Sequence, residues 1–126
     1  MAPSSRQPDR PVVARVLLVD DHPVVRNGLR LMLSEYAEFA VVAEAESCDD
    51  ALQKAASVKP DLVLMDINLG SAEKDGIFTT REILDRHPGT QVIIISMGKE
   101  KADIRNAIEA GAVGYLVKDI TGPELA

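Results

Sequence analysis

From Ala14 onward the chain alternates between short, nearly continuous apolar runs and longer stretches whose apolar residues recur at helical spacing. The runs "ARVLLVD" (14–20), "AVVAEA" (40–45), "PDLVLMD" (60–66), "TQVIIIS" (90–96) and "VGYLVKD" (113–119) predict five strands. "PDLVLMD" is apolar almost throughout, as in a strand covered on both faces. Between the runs lie helical patterns. Pro23 suits the first turn of a helix with Val24, Val25, Leu29 and Met32 or Leu33 as its apolar positions. Ser47 with Asp50 resembles a capping box and opens a helix to about Val58. "GIFTTREILDRH" (76–87) is stopped by Pro88 and Gly89, and "KEKADIRNAIEAG" (99–111) ends on Gly111, a candidate left-handed cap. "TGPELA" opens a further helix that the sequence barely enters.

Five strand–helix units in alternation predict one α/β domain with helices on both faces of a parallel sheet. No two runs are joined by a tight-turn signal, which argues against hairpins. Right-handed crossovers and five strands favour a flavodoxin-like (βα)5 doubly wound sheet in the order 2-1-3-4-5, its last helix truncated. Residues 1–13, with three prolines and mixed charge, are expected to be a disordered tail before a domain over 14–126.

Composition narrows the function classes. Aromatics make up 3% and Trp is absent, so Val, Ile, Leu and Ala must form the core. The net charge of −6 argues against broad nucleic-acid binding by this segment, because phosphate neutralisation needs clustered Lys and Arg. A DNA-binding domain elsewhere on a longer chain stays compatible with it. Cys48 is the single cysteine, which excludes an intrachain disulfide and suits a small buried residue. No apolar run reaches the roughly 18 residues of a membrane span, and the amino terminus has no signal-peptide core. A cytoplasmic location without membrane contact is therefore expected.

The strand ends carry the candidate chemistry. The first strand ends in Asp20 and Asp21, the third in Asp66, the fourth in Ser96 and the fifth in Lys118. In the order 2-1-3-4-5 the first and third strands are neighbours at the switch point, where such sheets bind ligands. Two or three grouped carboxylates, with no His or Cys ligand in the pattern, suit a hard divalent cation such as Mg2+. Asp66 stands alone on the central strand and is the candidate nucleophile toward phosphorus, with Lys118 and Ser96 available to phosphoryl oxygens. Each residue also has an ordinary reading: acids at helix starts offset the macrodipole, and Lys118-Asp119 suits a solvated turn. His22 reads as a surface residue at a helix start rather than a ligand, and His87 as a residue at a helix end.

The stretches "VLLVDDHPVVRNGL", "PDLVLMDI", "VIIIS" and "AGAVGYLVKD" resemble the receiver domain of bacterial two-component response regulators over about residues 14–126. "DDHPVVRNGL" and "GYLVKD" resemble the NarL/LuxR subfamily, whose members usually carry a helix-turn-helix DNA-binding domain after the receiver. The resemblance implies a signalling switch rather than an enzyme, with Asp66 phosphorylated by a sensor histidine kinase. It makes Asp21 a direct Mg2+ ligand and Asp20 one acting mainly through water, with the main-chain carbonyl of Asn68 as a further ligand. Ser96 becomes the switch hydroxyl, Lys118 the phosphate-pairing lysine and Tyr115 the switch aromatic. Readout through the surface of the fourth helix, fifth strand and fifth helix, often by homodimerisation, is also implied.

This chain departs from the family pattern in several places. The loop "NLGSAEKDG" is about two residues longer than usual in the family, and Gly70 stands where Pro is common. Met97 follows Ser96 where a small residue is preferred, and Asp119 follows Lys118 where Pro is common outside the NarL-like branch. The cut last helix suggests a piece of a longer protein. Three other classes share parts of this pattern. An interaction module without phosphate turnover would keep the fold. An aspartyl phosphohydrolase would be expected to show Asp-x-Asp on its first strand and a cap insertion. A flavin-binding flavodoxin would need a hydroxyl- or Gly-rich phosphate loop after the first strand.

Overall fold

A computed structural model describes residues 13–70, 73–96 and 101–117 of the chain. The five expected strands form as β1 (Ala14–Val19), β2 (Phe39–Ala45), β3 (Leu62–Asp66), β4 (Gln91–Ser96) and β5 (Gly114–Val117). Four helices join them: α1 (Pro23–Leu33), α2 (Cys48–Val58), α3 (Gly76–Arg86) and α4 (Lys101–Glu109). All strand pairs are parallel, and the sheet order is β2-β1-β3-β4-β5, as expected from the alternation. The tail before Val13, Met97, Lys118 and the start of a last helix lie outside the described residues.

Alternate residues of each strand go to opposite faces, which is why the runs are apolar at successive positions. Leu17, Val19, Val63, Met65, Val92 and Ile94 share one core with Ala51 and Ala55 of α2, Ile83 of α3 and Ala107 of α4. Val16, Leu18, Leu64 and Ile95 point the other way, against Leu29 and Leu33 of α1. The expectation for Val24 fails: it is 84% exposed, and Met32 is exposed as well, so the inner face of α1 runs through Val25, Leu29 and Leu33. Pro23 fixes Val24 in the first turn, on the side away from the sheet.

The predicted caps form. Ser47 Oγ accepts the Asp50 N–H at 3.1 Å, and the Asp50 carboxylate accepts the Glu46 N–H at 3.2 Å. Gly111 adopts φ +106 after α4. Asp75 caps α3 by accepting the Phe78 N–H at 2.9 Å. Gly76, the first residue of α3, approaches β3 closely: its N–H donates to Ile67 O at 3.0 Å, and a Cβ there would lie 2.1 Å from Asp66 O. Only glycine lets the helix start this near the end of the central strand.

Candidate functional site

The sheet topology brings the acids together. Val19 pairs with Met65 across β1 and β3, so Asp20 and Asp66 stand side by side where these strands finish. Asp20 donates its N–H to Ala45 O at 3.0 Å, continuing the ladder one residue past β1. Asp20 and Asp66 are buried, and Asp21 is half-buried. One ligand atom from each of Asp20, Asp21, His22 and Asp66 falls within 4.8 Å of the others.

His22 belongs to this group more closely than its sequence position suggested. It occupies the N-cap of α1, as expected for a helix-start residue, and its side chain is 64% exposed. Yet its Nδ1 lies 3.0 Å from Asp20 Oδ1, 2.9 Å from Asp21 Oδ1 and 4.0 Å from Asp66 Oδ2. The hydrogen bond with Asp20 raises its pKa above the ordinary value of 6.5, and the charge of Asp21 adds to that. The acid cluster therefore draws positive charge to itself.

Asp21 shows the same demand. Its Oδ2 accepts the Gly70 N–H at 3.3 Å. Its Oδ1 lies 2.9 Å from His22 Nδ1, and this buried oxygen has no hydrogen-bond partner among the described residues. A buried anionic oxygen without a donor is costly, and a cation would satisfy it. Three carboxylates with one imidazole at the rim fit a hard divalent ion such as Mg2+.

Of the other expected residues, Asn68 and Ser96 lie at the same edge of the sheet, Tyr115 sits on β5, and Lys118 lies outside the described residues. Asn68 donates its N–H to Asp66 Oδ1 at 3.2 Å, which fixes the carboxylate on its strand end. Ser96 is buried at the end of β4, one residue beyond Ile95, the partner of Asp66. Tyr115 pairs with Ile94 on β5 and is half-buried against the core shared by α2, α3 and α4. Arg26, which the sequence reading passed over, donates to Asp20 O at 2.6 Å and through Nε to Glu44 Oε1 at 3.1 Å. It ties α1 to the ends of β1 and β2. Its only signal was a position six residues after Asp20, too weak to single it out.

No helix among the described residues is long and apolar enough to cross a membrane. A family profile described as the response regulator receiver domain matches residues 16–126. The DNA-binding transcriptional activator DevR/DosR of Mycobacterium tuberculosis is 40% identical over 114 residues, 90% of this chain and 52% of that protein. The response regulator GacA of Pseudomonas viridiflava is 38% identical over 104 residues, 82% of this chain and 48% of that protein. The chain thus spans about half the length of these curated relatives. Among solved structures, a LuxR-family two-component response regulator from Aurantimonas superposes with TM-score 0.80 at 38% identity, covering 90% of this chain and 79% of that one. The receiver domain of the putative response regulator NarL from Mycobacterium tuberculosis gives TM-score 0.79 at 33% identity, covering 88% of each chain. With the 2-1-3-4-5 sheet and the acids at its switch point, these likenesses show that the chain belongs to the response regulator receiver domains, signalling switches of two-component systems, in their NarL/LuxR branch.

Proposed function

We propose that this chain is a single receiver unit from Ala14 onward that accepts a phosphoryl group on Asp66 from the phosphohistidine of a sensor histidine kinase. The observation that carries this reading is the convergence of Asp20, Asp21 and Asp66 within 4.8 Å at the ends of two adjacent strands. Receiver domains generally bind Mg2+ at such a pocket and interact with histidine kinases. Here Asp20, Asp21, Asp66 and the main-chain carbonyl of Asn68 would hold the ion, which neutralises charge on the transferring group. An Asp66 oxygen forms the new O–P bond as the donor imidazole's P–N bond breaks, and the leaving nitrogen keeps the electron pair. The Asn68 N–H on Asp66 Oδ1 keeps the nucleophile aligned. Ser96 and Lys118 would take phosphoryl oxygens, and slow hydrolysis by water would reset the switch.

Ser96 and Tyr115 then form the two-state element: a shift of the hydroxyl toward the phosphoryl group opens space for the ring to turn inward. The surface they bias lies over α4 and β5, where Ile104, Ile108, Val113 and Leu116 are exposed apolar residues. Those residues support a homodimer through this face and readout by a DNA-binding domain on the longer protein, in the cytoplasm.

The test is intact-protein mass after incubation with phosphoramidate, with and without Mg2+, beside Asp66→Ala. The expected outcome is one added phosphoryl group that needs both Mg2+ and Asp66. Stoichiometric labelling of the Asp66→Ala protein would overturn the assignment.

A further inference from the structure

We infer that Gly70 is a positioning residue for the cation site, acting through its main-chain N–H on Asp21 and not through any side chain. The inference rests on the Mg2+ reading above and adds to it a part supplied by the loop between β3 and α3. Four observations meet at this residue. Leu69 is fully buried in the larger core, so the chain is pinned immediately before Gly70. Gly70 then takes φ +59, in the left-handed region. In that conformation its N–H donates to Asp21 Oδ2 at 3.3 Å, across 49 residues of sequence. The other oxygen of the same carboxylate, Oδ1, is the one that lacks a hydrogen-bond partner among the described residues. Nearer α3, Lys74 Nζ lies 3.4 Å from Asp49 Oδ1 at the start of α2, an exposed ion pair that adds little.

The two oxygens of Asp21 are thereby given different work. One is held by the main chain, so the carboxylate cannot rotate freely. The other is held in a fixed direction within the acid cluster, beside the His22 ring, where a bound cation would draw on it. A ligand held by an outer hydrogen bond loses less freedom when the metal arrives, and this raises affinity. The residue type matters for a physical reason: proline has no N–H and is locked near φ −65°, so a proline here could neither donate the bond nor adopt this turn. Gly70 is thus a device of this chain for aiming a metal ligand.

The experiment compares Mg2+ affinity by calorimetry in the wild type, Gly70→Pro and Gly70→Asn. Asparagine keeps the N–H, tolerates the left-handed region, and has room, because nothing lies within 4 Å of a Cβ at Gly70. Gly70→Pro should weaken Mg2+ binding about tenfold, the lower end of what lost outer-sphere partners cost. Gly70→Asn should restore it to within about twofold, a rescue that a general loosening of the loop would not give. Equal affinity of Gly70→Pro and the wild type overturns the inference and leaves the Mg2+ reading standing. Absence of Mg2+ binding by the wild type removes both. Should Gly70→Pro not fold, amide hydrogen exchange in the metal-free protein decides. The Gly70 amide should exchange several-fold faster in Asp21→Ala than in the wild type, and an unchanged rate overturns the inference.

Discussion

Two neighbouring threonines on α3 show how much one hydroxyl's partner decides. Thr79 and Thr80 are both fully buried. Thr79 Oγ1 donates to Asp75 O at 2.7 Å, whereas Thr80 Oγ1 has no hydrogen-bond partner among the described residues. An unsatisfied buried hydroxyl costs about 1–3 kcal/mol, and a satisfied one contributes about 0.5–1.5. Valine has almost the shape of threonine and nearly its helix propensity. Thr80→Val should therefore stabilise the domain by about 1 kcal/mol, and Thr79→Val should destabilise it by a similar amount. Urea midpoints at unchanged slope would check the pair, and a lower midpoint for Thr80→Val would refute the account. Neither sign was legible in the sequence, where the two threonines are adjacent and equivalent. Asp20, Asp21 and Asp66 were legible because they interrupt apolar runs at strand ends, a break that burial alone would not produce. The His22 contacts and the Gly70 bond were not, because they depend on where a ring turns and on the path of a loop.

Helix α1 lies lightly on the sheet. None of its residues is fully buried, and its N-cap His22 makes no side-chain capping bond. Its attachment therefore depends on Leu29 and Leu33 below and on polar ties at the rim. Arg26 supplies two directed bonds, to Asp20 O and to Glu44, from a side chain only 17% exposed. Arg30 reaches the same glutamate from a more exposed position, Nε lying 3.2 Å from Glu44 Oε2. Hydrogen bonds from a charged donor contribute about 1.5–3 kcal/mol when sheltered, whereas exposed ion pairs contribute about 0–1. Arg26→Ala should thus cost about 2 kcal/mol, Arg30→Ala less than about 1 kcal/mol. Arg26→Lys should recover only part of the loss, because one ammonium cannot reproduce the planar fork. Chemical denaturation of the three variants measures this ranking, and equal costs for Arg26→Ala and Arg30→Ala would count against it. At this scale the sequence spoke clearly about which elements exist, since a period of two or of 3.6 leaves its mark over many residues. It was less exact about which way α1 faces: Val24 fits the apolar pattern but lies on the side of the helix turned away from Leu29 and Leu33.

At the scale of the whole domain, the acid cluster gathers like charge that His22 offsets in part and that, on the Mg2+ reading, a bound cation would relieve. Folding gathers three carboxylates at one end of the sheet, two of them buried, within a chain of net charge −6. Two unit charges about 4 Å apart repel by about 4 kcal/mol at an effective dielectric near 20, and solvent reaching the half-buried Asp21 reduces this to about 1. The unfolded chain spreads these groups apart and feels little of it. A ligand that binds only the folded state stabilises it by RT ln(1 + [L]/Kd), about 2.7 kcal/mol at 100 times Kd. The two effects act on Asp21 with opposite signs. In chelated, metal-free buffer at alkaline pH, where the His22 ring is neutral and no longer attracts Asp21, Asp21→Asn should raise stability by about 1 kcal/mol, because repulsion falls while an oxygen remains to accept the Gly70 N–H. In saturating Mg2+ the order should reverse, because the wild type gains the full linkage term and the variant binds the ion far more weakly. Thermal unfolding of both proteins across a Mg2+ series would show the two curves crossing. A variant less stable than the wild type at every concentration, including zero, would mean that Asp21 supports the fold itself rather than holding a place for the ion.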